Sequence, residues 1–154
     1  MKRVLELFKD NHISYELFEH EPVYTSEQAA RTRGVELKTG VKALVLKEDS
    51  HFLIADIAAD RKLDFKKIEN LLGRKNVVFA KREEVISVTG CEPGSVHPFG
   101  QLFGIDTYLD RTVLANDYVN FNIGVLTKSV RIKKDDLMKV IAPKAVGEFT
   151  KLHV

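Results

Sequence analysis

Apolar residues follow two different spacings along this chain, and segments with the two spacings alternate. Spacing of three and four residues is typical of amphipathic helices, and it occurs over residues 2–11, 65–72, 81–89 and 135–141. Short alternating or wholly apolar runs favour strands, and they occur over residues 15–20, 41–46, 51–57, 77–80, 119–126 and 129–132. The mixture predicts an α/β domain with a mixed, twisted sheet and helices packed around it.

Weaker patterns fill the second half of the chain. Strand pieces are expected at residues 101–105 and 107–109, with a break at Gly104. Residues 112–116 are expected to continue the sheet. The last residues, 143–154, show no clear period, so no element is predicted there.

Cap residues mark several predicted helix ends. Thr25, followed by Gln28 three residues later, resembles a capping box and predicts a helix over residues 26–33. Asp64 is predicted to cap the helix that follows it, and Gly73 is predicted to end that helix.

The composition indicates one globular domain spanning residues 1–154. The chain is 44% hydrophobic and 30% charged, and its length leaves room for a real core. It has no apolar run of about 18 residues and no apolar signal-peptide core, so we expect a cytoplasmic protein without a membrane partner. The one cysteine, Cys91, cannot form an internal disulfide, and no Cys/His cluster has zinc-ligand spacing. We therefore expect neither a metal nor a cofactor.

One lysine interrupts the most apolar predicted strand. Residues 41–46 are apolar on both faces except at Lys42, which shares a face with two leucines. A partly buried ammonium needs a partner or a ligand, unless its stem packs while its head reaches water. The next strand carries Asp56, interpreted chiefly as a polar residue at the strand end and alternatively as a partner for Lys42.

A stretch rich in glycine and proline, residues 90–100, holds three Gly and two Pro. Such a run cannot continue a helix or a central strand, because Gly raises the entropy cost of ordering the chain and Pro removes a backbone donor. Two interpretations remain open. The run is either a structural turn between two elements or a stiffened loop whose N–H groups hold a carbonyl, carboxylate or phosphate oxygen.

Positive charge is concentrated in one segment although the whole chain carries only +2. Residues 61–82 hold eight basic and two acidic side chains, a local excess of +6. A patch of this kind can contact a phosphate backbone, or it can be an ordinary solvated helix face. The candidate contacts are Arg61, Lys62, Lys66 and Lys67.

Several short motifs follow one another in a recognisable order. They are Lys42-Ala43-Leu44-Val45, then Asp60-Arg61-Lys62-Leu63-Asp64, then residues 80–84 with Thr89-Gly90, and finally Pro93-Gly94-Ser95-Val96-His97-Pro98-Phe99-Gly100. In this order they resemble the YbaK family, also called the prolyl-tRNA synthetase-associated domain. The resemblance covers residues 1–142 and is most specific in the G-x-x-x-P motif from Gly94 to Pro98. It implies a single α/β domain with a barrel-like sheet.

The resemblance also implies an activity. Members of this family hydrolyse tRNA carrying the wrong amino acid, mostly alanine, cysteine or serine on the tRNA for proline. With no synthetase body in this chain, a free-standing deacylase acting in trans on mischarged tRNA is expected. A synthetase remains open as a further partner.

The same resemblance assigns residues to the site. Lys42 matches the family's essential lysine, and Gly94 and Pro98 match the loop that holds the ester carbonyl and the attacking water. Ser95, Val96 and His97 lie inside that loop and are expected to contact substrate. His97 as general base and Cys91 as nucleophile are both disfavoured interpretations.

One position departs from the family pattern. The alanine-specific branch carries Asn-x-His in the later strand that lines the pocket, whereas this chain has Asn120-Phe121-Asn122. Asn122 is expected to form hydrogen bonds with substrate, but it cannot act as that histidine would. The choice of amino acid therefore stays open.

Two other classes of function fit parts of the sequence. A non-catalytic module that holds tRNA ends or nucleotides would use the basic patch and would bind without turnover. A protein-interaction subunit that has lost the site would not need Lys42. Retention of Lys42 with the whole loop argues against this last interpretation.

Overall fold

The computed structural model describes residues 1–22, 31 and 36–152. The predicted helix over residues 26–33 and its cap, Thr25 with Gln28, lie outside the described residues, apart from residue 31.

Four helices of the described chain match four of the predicted ones. They are α1 (Lys2–Asp10), α2 (Phe65–Leu72), α3 (Arg82–Thr89) and α4 (Lys134–Val140). The Asp64 carboxylate accepts a hydrogen bond from the Lys67 backbone N–H at 3.2 Å, which confirms the predicted cap of α2. Gly73 follows α2 in the left-handed conformation, with φ 67°, and this confirms the predicted end. No described helix combines the length and hydropathy needed to cross a bilayer.

Ten strands are present in the described chain. They are β1 (Glu16–Glu19), β2 (Val41–Glu48), β3 (His51–Ala58), β4 (Arg61–Leu63), β5 (Val78–Phe79), β6 (Asp106–Asp110), β7 (Tyr118–Asn122), β8 (Lys128–Lys133), β9 (Pro143–Gly147) and β10 (Thr150–Leu152). The predicted strands at 15–20, 41–46, 51–57, 77–80, 107–109, 119–126 and 129–132 all have counterparts, with boundaries shifted by a few residues.

The strands form three sheets. The largest has the order β5-β2-β3-β6-β9, in which β2 is antiparallel to β3 and β5, while β3-β6 and β6-β9 are parallel pairs. The second is antiparallel, with the order β1-β8-β7, and β4 forms a ribbon with β10. The predicted mixed α/β fold is confirmed. Because the large sheet ends at β5 and β9 without closing, barrel-like describes it only loosely.

Apolar side chains bury against one another on the faces of these sheets. One cluster joins α1 and α4 to the three-stranded sheet, and in it Phe99 stands edge-on to both Phe8 and Phe121, at 5.9 and 5.6 Å between ring centres. A second cluster packs α2 on the large sheet around Ile68 and Phe149. A third cluster lies between the large sheet and the Gly/Pro-rich stretch.

Two strand predictions are wrong. Residues 101–103 lie in a 3-10 helix, Gly100–Phe103, which is followed by Gly104 in the left-handed conformation with φ 72°. Residues 112–116 fall mostly in a second 3-10 helix, Arg111–Ala115, capped by Asp110, whose carboxylate accepts from the Thr112 N–H at 3.2 Å. Strands and short 3-10 helices both bury some side chains and expose their neighbours. A short run of alternating apolar residues is therefore compatible with either element.

The tail for which no element was predicted contributes β9 and β10. β9 pairs with β6, and β10 pairs with β4, so both strands owe their order to partners far away in the sequence. In β9 the less exposed positions hold Pro143, Ala145 and Gly147 while the larger apolar side chain, Val146, is exposed, which explains the weak hydrophobic pattern.

Candidate functional site

Lys42 lies in β2 opposite Ile57 of β3 and is half-buried. Its Nζ donates a hydrogen bond to the backbone carbonyl of Arg61 at 3.0 Å. The ammonium therefore has a protein acceptor, which is what partial burial of a charge requires. This contact ties the predicted essential lysine to the first residue of β4.

Asp56 is not the partner of Lys42. It pairs with Ala43, on the other side of the strand from Lys42, and it lies two residues before the end of β3. Its side chain is fully buried, and neither carboxylate oxygen has a hydrogen-bond partner among the described residues. Burial raises the pKa of this carboxyl well above its ordinary value, because desolvation disfavours the charged form.

The Gly/Pro-rich loop, residues 90–100, is fastened to the end of β7. A 3-10 turn, Pro93–Ser95, leaves Gly94 exposed to solvent. Asn122 Nδ2 donates to the Gly94 carbonyl at 2.6 Å, and the Gly124 N–H donates to the Ser95 carbonyl at 2.9 Å. These two contacts hold the exposed glycine in place from the side of β7.

The following loop residues turn inward. Ser95 is buried, and its hydroxyl donates to the Glu92 carbonyl at 2.8 Å. Val96 joins the apolar cluster that contains Val45, and Pro98 is also buried. Among these residues, Gly94 is therefore the part of the motif that a ligand can reach directly.

His97 is held neutral inside the protein. Its Nδ1 accepts the Phe99 N–H at 3.2 Å, and its ring stacks on Phe103 at 4.3 Å between ring centres. Desolvation lowers the pKa of the imidazole to about 3. With Nδ1 used as an acceptor, Nε2 carries the proton of the neutral ring, so no lone pair remains to take a proton from water. The arrangement makes His97 a packing residue of the loop.

Lys42 and Asn122, the residue that holds the loop, both lie close in sequence to the contact between the large sheet and the three-stranded sheet. Gly40 forms an isolated parallel bridge with Asn120, and we call this contact the sheet junction. Two residues further along each chain stand Lys42 and Asn122. Side chains two residues apart leave a strand on the same side, so Lys42 is on the face of β2 that carries Leu44, and Asn122 is on the face of β7 that carries Asn120. Asn122 in turn contacts Gly94, so the loop is held at a position two residues beyond the junction on β7.

Two residues that the sequence did not single out support Asn122. Ser129 of β8 donates from its hydroxyl to Asn122 Oδ1 at 3.2 Å, and His20 Nε2 lies 2.7 Å from the same hydroxyl oxygen. His20 and Ser129 are 109 positions apart, so no spacing in the sequence could reveal the contact. Both ends of the Asn122 amide are engaged, which orients it toward the loop.

The residues of the predicted basic patch lie in two elements that follow each other along the chain, and one of them, Arg61, contacts Lys42. Arg61 and Lys62 lie in β4, and Lys66 and Lys67 lie in the first turn of α2. The ribbon adds Lys151, which pairs directly opposite Lys62. Both are exposed, and like charges in this position repel. The ion pairs found within the described residues include none of these five side chains.

The described part of the chain offers no metal site of the ordinary kind. It contains no group of three His, Cys, Asp or Glu side chains placed to hold a metal ion. Cys91 is buried, and burial raises the pKa of its thiol.

Known proteins share this fold. A solved structure described as a hypothetical protein matches with a TM-score of 0.86 at 24% identity, covering 96% of this chain and 99% of the other. Another, described as a candidate trans-editing enzyme for prolyl-tRNA synthetase, matches with a TM-score of 0.84 at 24% identity and covers 97% and 96%. At this identity the two matches establish the architecture alone.

Curated relatives are similar over most of the chain. The multifunctional Ser/Thr-tRNA deacylase ProXp-y of Escherichia coli K12 is 29% identical over 151 residues, 95% of this chain and 90% of the relative. The prolyl-tRNA editing protein ProX of Acetoanaerobium sticklandii is 27% identical and covers 84% and 82%. The proline–tRNA ligase of Bacillus subtilis is 32% identical over 127 residues, but the match spans 22% of that ligase.

A family model agrees with these relatives and with the motif order. The model described as aminoacyl-tRNA editing domain matches residues 20–140, which include Lys42, the Gly94 loop and Asn122. The predicted class of enzyme, an aminoacyl-tRNA hydrolase, agrees with the deacylase and editing protein among the relatives. The chain belongs to the aminoacyl-tRNA editing domain family.

Proposed function

We propose that this protein hydrolyses the ester of mischarged tRNA in trans, as an aminoacyl-tRNA deacylase. The observation that supports the proposal is that Lys42 and Asn122, which binds the Gly94 carbonyl, each lie two residues from the sheet junction in a chain of the editing family. We infer that the exposed backbone of the loop and the Lys42 cation act on the same ester.

The reaction needs modest help from the protein. A water oxygen attacks the ester carbonyl, the carbonyl–ribose oxygen bond breaks, and the water proton ends on the ribose hydroxyl. Free amino acid and intact tRNA result. Because the ribose hydroxyl leaves readily, positioning and stabilisation of the oxyanion supply several kcal/mol without a nucleophilic side chain.

Each site residue has a defined part in this scheme. The Lys42 ammonium contacts the terminal phosphate or the ester carbonyl, and the backbone around Gly94 holds the carbonyl and the attacking water. Pro98 limits the conformational freedom of the loop backbone. The side chains of Ser95, Val96 and His97 are buried and pack the loop against the protein interior. Asn122 acts mainly by fixing the Gly94 carbonyl, with both ends of its amide engaged.

Serine is the amino acid that we propose as the first substrate. The family resemblance implies alanine, cysteine or serine on tRNA for proline, and the Escherichia coli relative is named for serine and threonine. Serine is common to both sets. A pocket that excludes larger residues by size would act as a sieve in the manner of other editing sites.

The tRNA itself is the proposed partner, held by Arg61, Lys62, Lys66 and Lys67. These side chains follow directly on the contact between Lys42 and Arg61, so the phosphates of the acceptor end can lie along them. A non-catalytic module that only binds tRNA is the competing function. It is favoured by the same patch and predicts binding without hydrolysis.

The decisive experiment is single-turnover deacylation with purified protein. The panel contains tRNA for proline loaded with serine, alanine or cysteine, and tRNA for threonine loaded with serine. We expect hydrolysis of at least one serine ester. Lys42→Ala should slow it by about 100-fold, the size of effect seen when one oxyanion-stabilising donor is removed.

A control variant tests whether the loss of rate is specific to Lys42 or follows from removing any lysine of β2. Lys47→Ala removes another lysine of β2, which is ion-paired with Glu84. Its rate should stay within about threefold of the native rate, because an ion pair near the surface contributes little. Salt-sensitive tRNA binding without hydrolysis of any panel member would favour the binding module, and equal rates for the two variants would refute the role of Lys42.

A further inference from the structure

The acceptor that holds Lys42 is itself held by the C-terminal strand. The lysine stem is flexible, so the Arg61 carbonyl helps to fix the position of its ammonium. Arg61 begins β4, a strand of three residues whose partner in the described chain is β10. A strand this short has little intrinsic order and relies on that partner.

A side-chain contact links Arg61 to β10 a second time. Arg61 Nε donates to Thr150 Oγ1 at 3.0 Å, and Thr150 Oγ1 lies 3.0 Å from Asp110 Oδ2. The guanidinium is a donor only, so the hydroxyl must accept from it and give its single proton to Asp110. The direction of both hydrogen bonds is therefore settled by chemistry.

Asp110 anchors the far end of this chain of contacts. It is buried at the end of β6, and its Oδ1 accepts the Phe149 N–H at 2.8 Å. Its Oδ2 also accepts from the N–H and the hydroxyl of Thr112. A carboxylate with this many donors is a rigid acceptor, since moving it would break several charge-assisted hydrogen bonds.

We propose that Thr150 is a positioning residue for the deacylation site and acts on Lys42 through Arg61. The hydrogen bonds that run from Asp110 through Thr150 to Arg61 fix the position of the Arg61 backbone carbonyl. That carbonyl in turn helps to fix the position of the Lys42 ammonium. The C-terminal strand lies beyond the family match at residues 20–140, and it completes the site. The inference rests on the proposed role of Lys42.

The test compares two substitutions at Thr150. Thr150→Val keeps the shape and the β-branch but removes the hydroxyl, whereas Thr150→Ser keeps the hydroxyl. Thr150→Val should lower the single-turnover rate at saturating tRNA by about tenfold, because misplacement of a reacting group lowers the rate of the chemical step. Thr150→Ser should stay within about threefold of the native rate.

A double-mutant cycle asks whether the effect passes through Lys42. In the Lys42→Ala background, Thr150→Val should change the residual rate by less than about twofold, since both variants remove the same interaction. A full tenfold loss in that background would overturn the proposal. So would equal rates for Thr150→Val and Thr150→Ser.

A measurement independent of activity keeps the inference separate from the proposed function. A limiting dose of acetic anhydride labels lysines, and mass spectrometry compares labelling of Lys42 with that of exposed Lys9 in the folded variants. Thr150→Val should raise the relative labelling of Lys42 by about threefold or more, because a released amine reacts faster. If the native protein deacylates nothing, the proposed function fails, and this labelling alone decides the positioning role. Unchanged labelling refutes it.

Discussion

Burial differs between the ionisable side chains Lys42, His97 and Asp56, and their surroundings differ with it. Lys42 is half-buried, and its ammonium has a backbone acceptor. His97 is almost fully buried, its Nδ1 accepts a hydrogen bond from the Phe99 N–H, and desolvation lowers the pKa of its ring to about 3. Asp56 is fully buried and has no hydrogen-bond partner in the described chain, and desolvation raises the pKa of its carboxyl. At the scale of single residues, solvent contact decides which group can act.

Asp56 should make the protein less stable as the pH rises. Its pKa in the folded state lies above that of the unfolded chain, so its favourable contribution is complete below the unfolded pKa of about 4 and is lost as the pH rises through the folded pKa. Asp56→Asn removes this loss. We expect a gain of about 1–3 kcal/mol at pH 7.5 and a smaller gain at pH 4.5, measured by urea unfolding.

An exposed carboxylate provides the control for that prediction. Asp106 is ion-paired with Lys144 at the surface, at 3.2 Å. Asp106→Asn should change the free energy of unfolding by less than about 1 kcal/mol at either pH. A gain for Asp56→Asn that did not grow with pH would show that the buried carboxyl does not titrate as burial requires.

At the scale of elements, the Gly/Pro-rich loop is ordered by contacts in its middle and at its last residue. β7 and the residues after it fasten Gly94 and Ser95, and β6 fastens Gly100, whose N–H donates to the Thr107 hydroxyl at 2.9 Å. The loop is therefore stiffened by tertiary hydrogen bonds as well as by its prolines. Stiffness of this kind is what a backbone site for a carbonyl group needs.

Position 100 should require glycine, because the surrounding atoms leave no room for a side chain. A Cβ atom there would lie 2.3 Å from Thr107 Oγ1 and 2.7 Å from the Ile105 carbonyl oxygen. Gly100→Ala should therefore destabilise the protein by about 3 kcal/mol, seen as a lower Tm. Gly104→Ala is the matched comparison, because its Cβ would meet no atom of the described residues within 4 Å and it bears only the strain of φ +72°. Its cost should be about 1 kcal/mol, and equal costs would contradict the packing at Gly100.

At the scale of the whole molecule, charge is distributed unevenly around the site. The net charge is only +2, yet the ribbon and the first turn of α2 gather Arg61, Lys62, Lys66, Lys67 and Lys151. Lysines placed opposite each other repel, and an anionic partner would relieve that repulsion. The basic surface adjoins the residue that holds Lys42, so substrate binding and catalysis would share one edge of the fold.

Neutralising this surface should weaken tRNA binding in a salt-dependent way. Log affinity decreases with log salt. For the double variant Lys62→Ala with Lys66→Ala, this slope should become less negative by about 1 for each phosphate that the protein no longer neutralises. The control, Lys139→Ala with Lys144→Ala, removes the same charge from two lysines that are ion-paired with Asp136 and Asp106. Its slope should stay within about 0.5 of the native one. Identical slopes for the two double variants would exclude the patch as the tRNA surface.

Much of the fold could be predicted from local pattern. The four described helices, the cap at Asp64 and the strands around Lys42 follow from periodicity and from residues that act within one turn. The predictions failed where a segment depends on remote partners. Residues 101–103 of a predicted strand lie in a 3-10 helix, and the tail, for which no element was predicted, forms β9 and β10. Side-chain pattern carries little information about pairing with a distant strand.

The candidate site divides in the same way. The order of the motifs from Lys42 to the Gly94 loop was enough to indicate the family by resemblance, and the class of reaction followed from that family. The contacts of Lys42 with Arg61, of Asn122 with Gly94 and of Thr150 with Asp110 were decided by the tertiary structure alone. A hydrogen bond needs its two atoms within about 3 Å, and only the folded chain brings such distant residues that close.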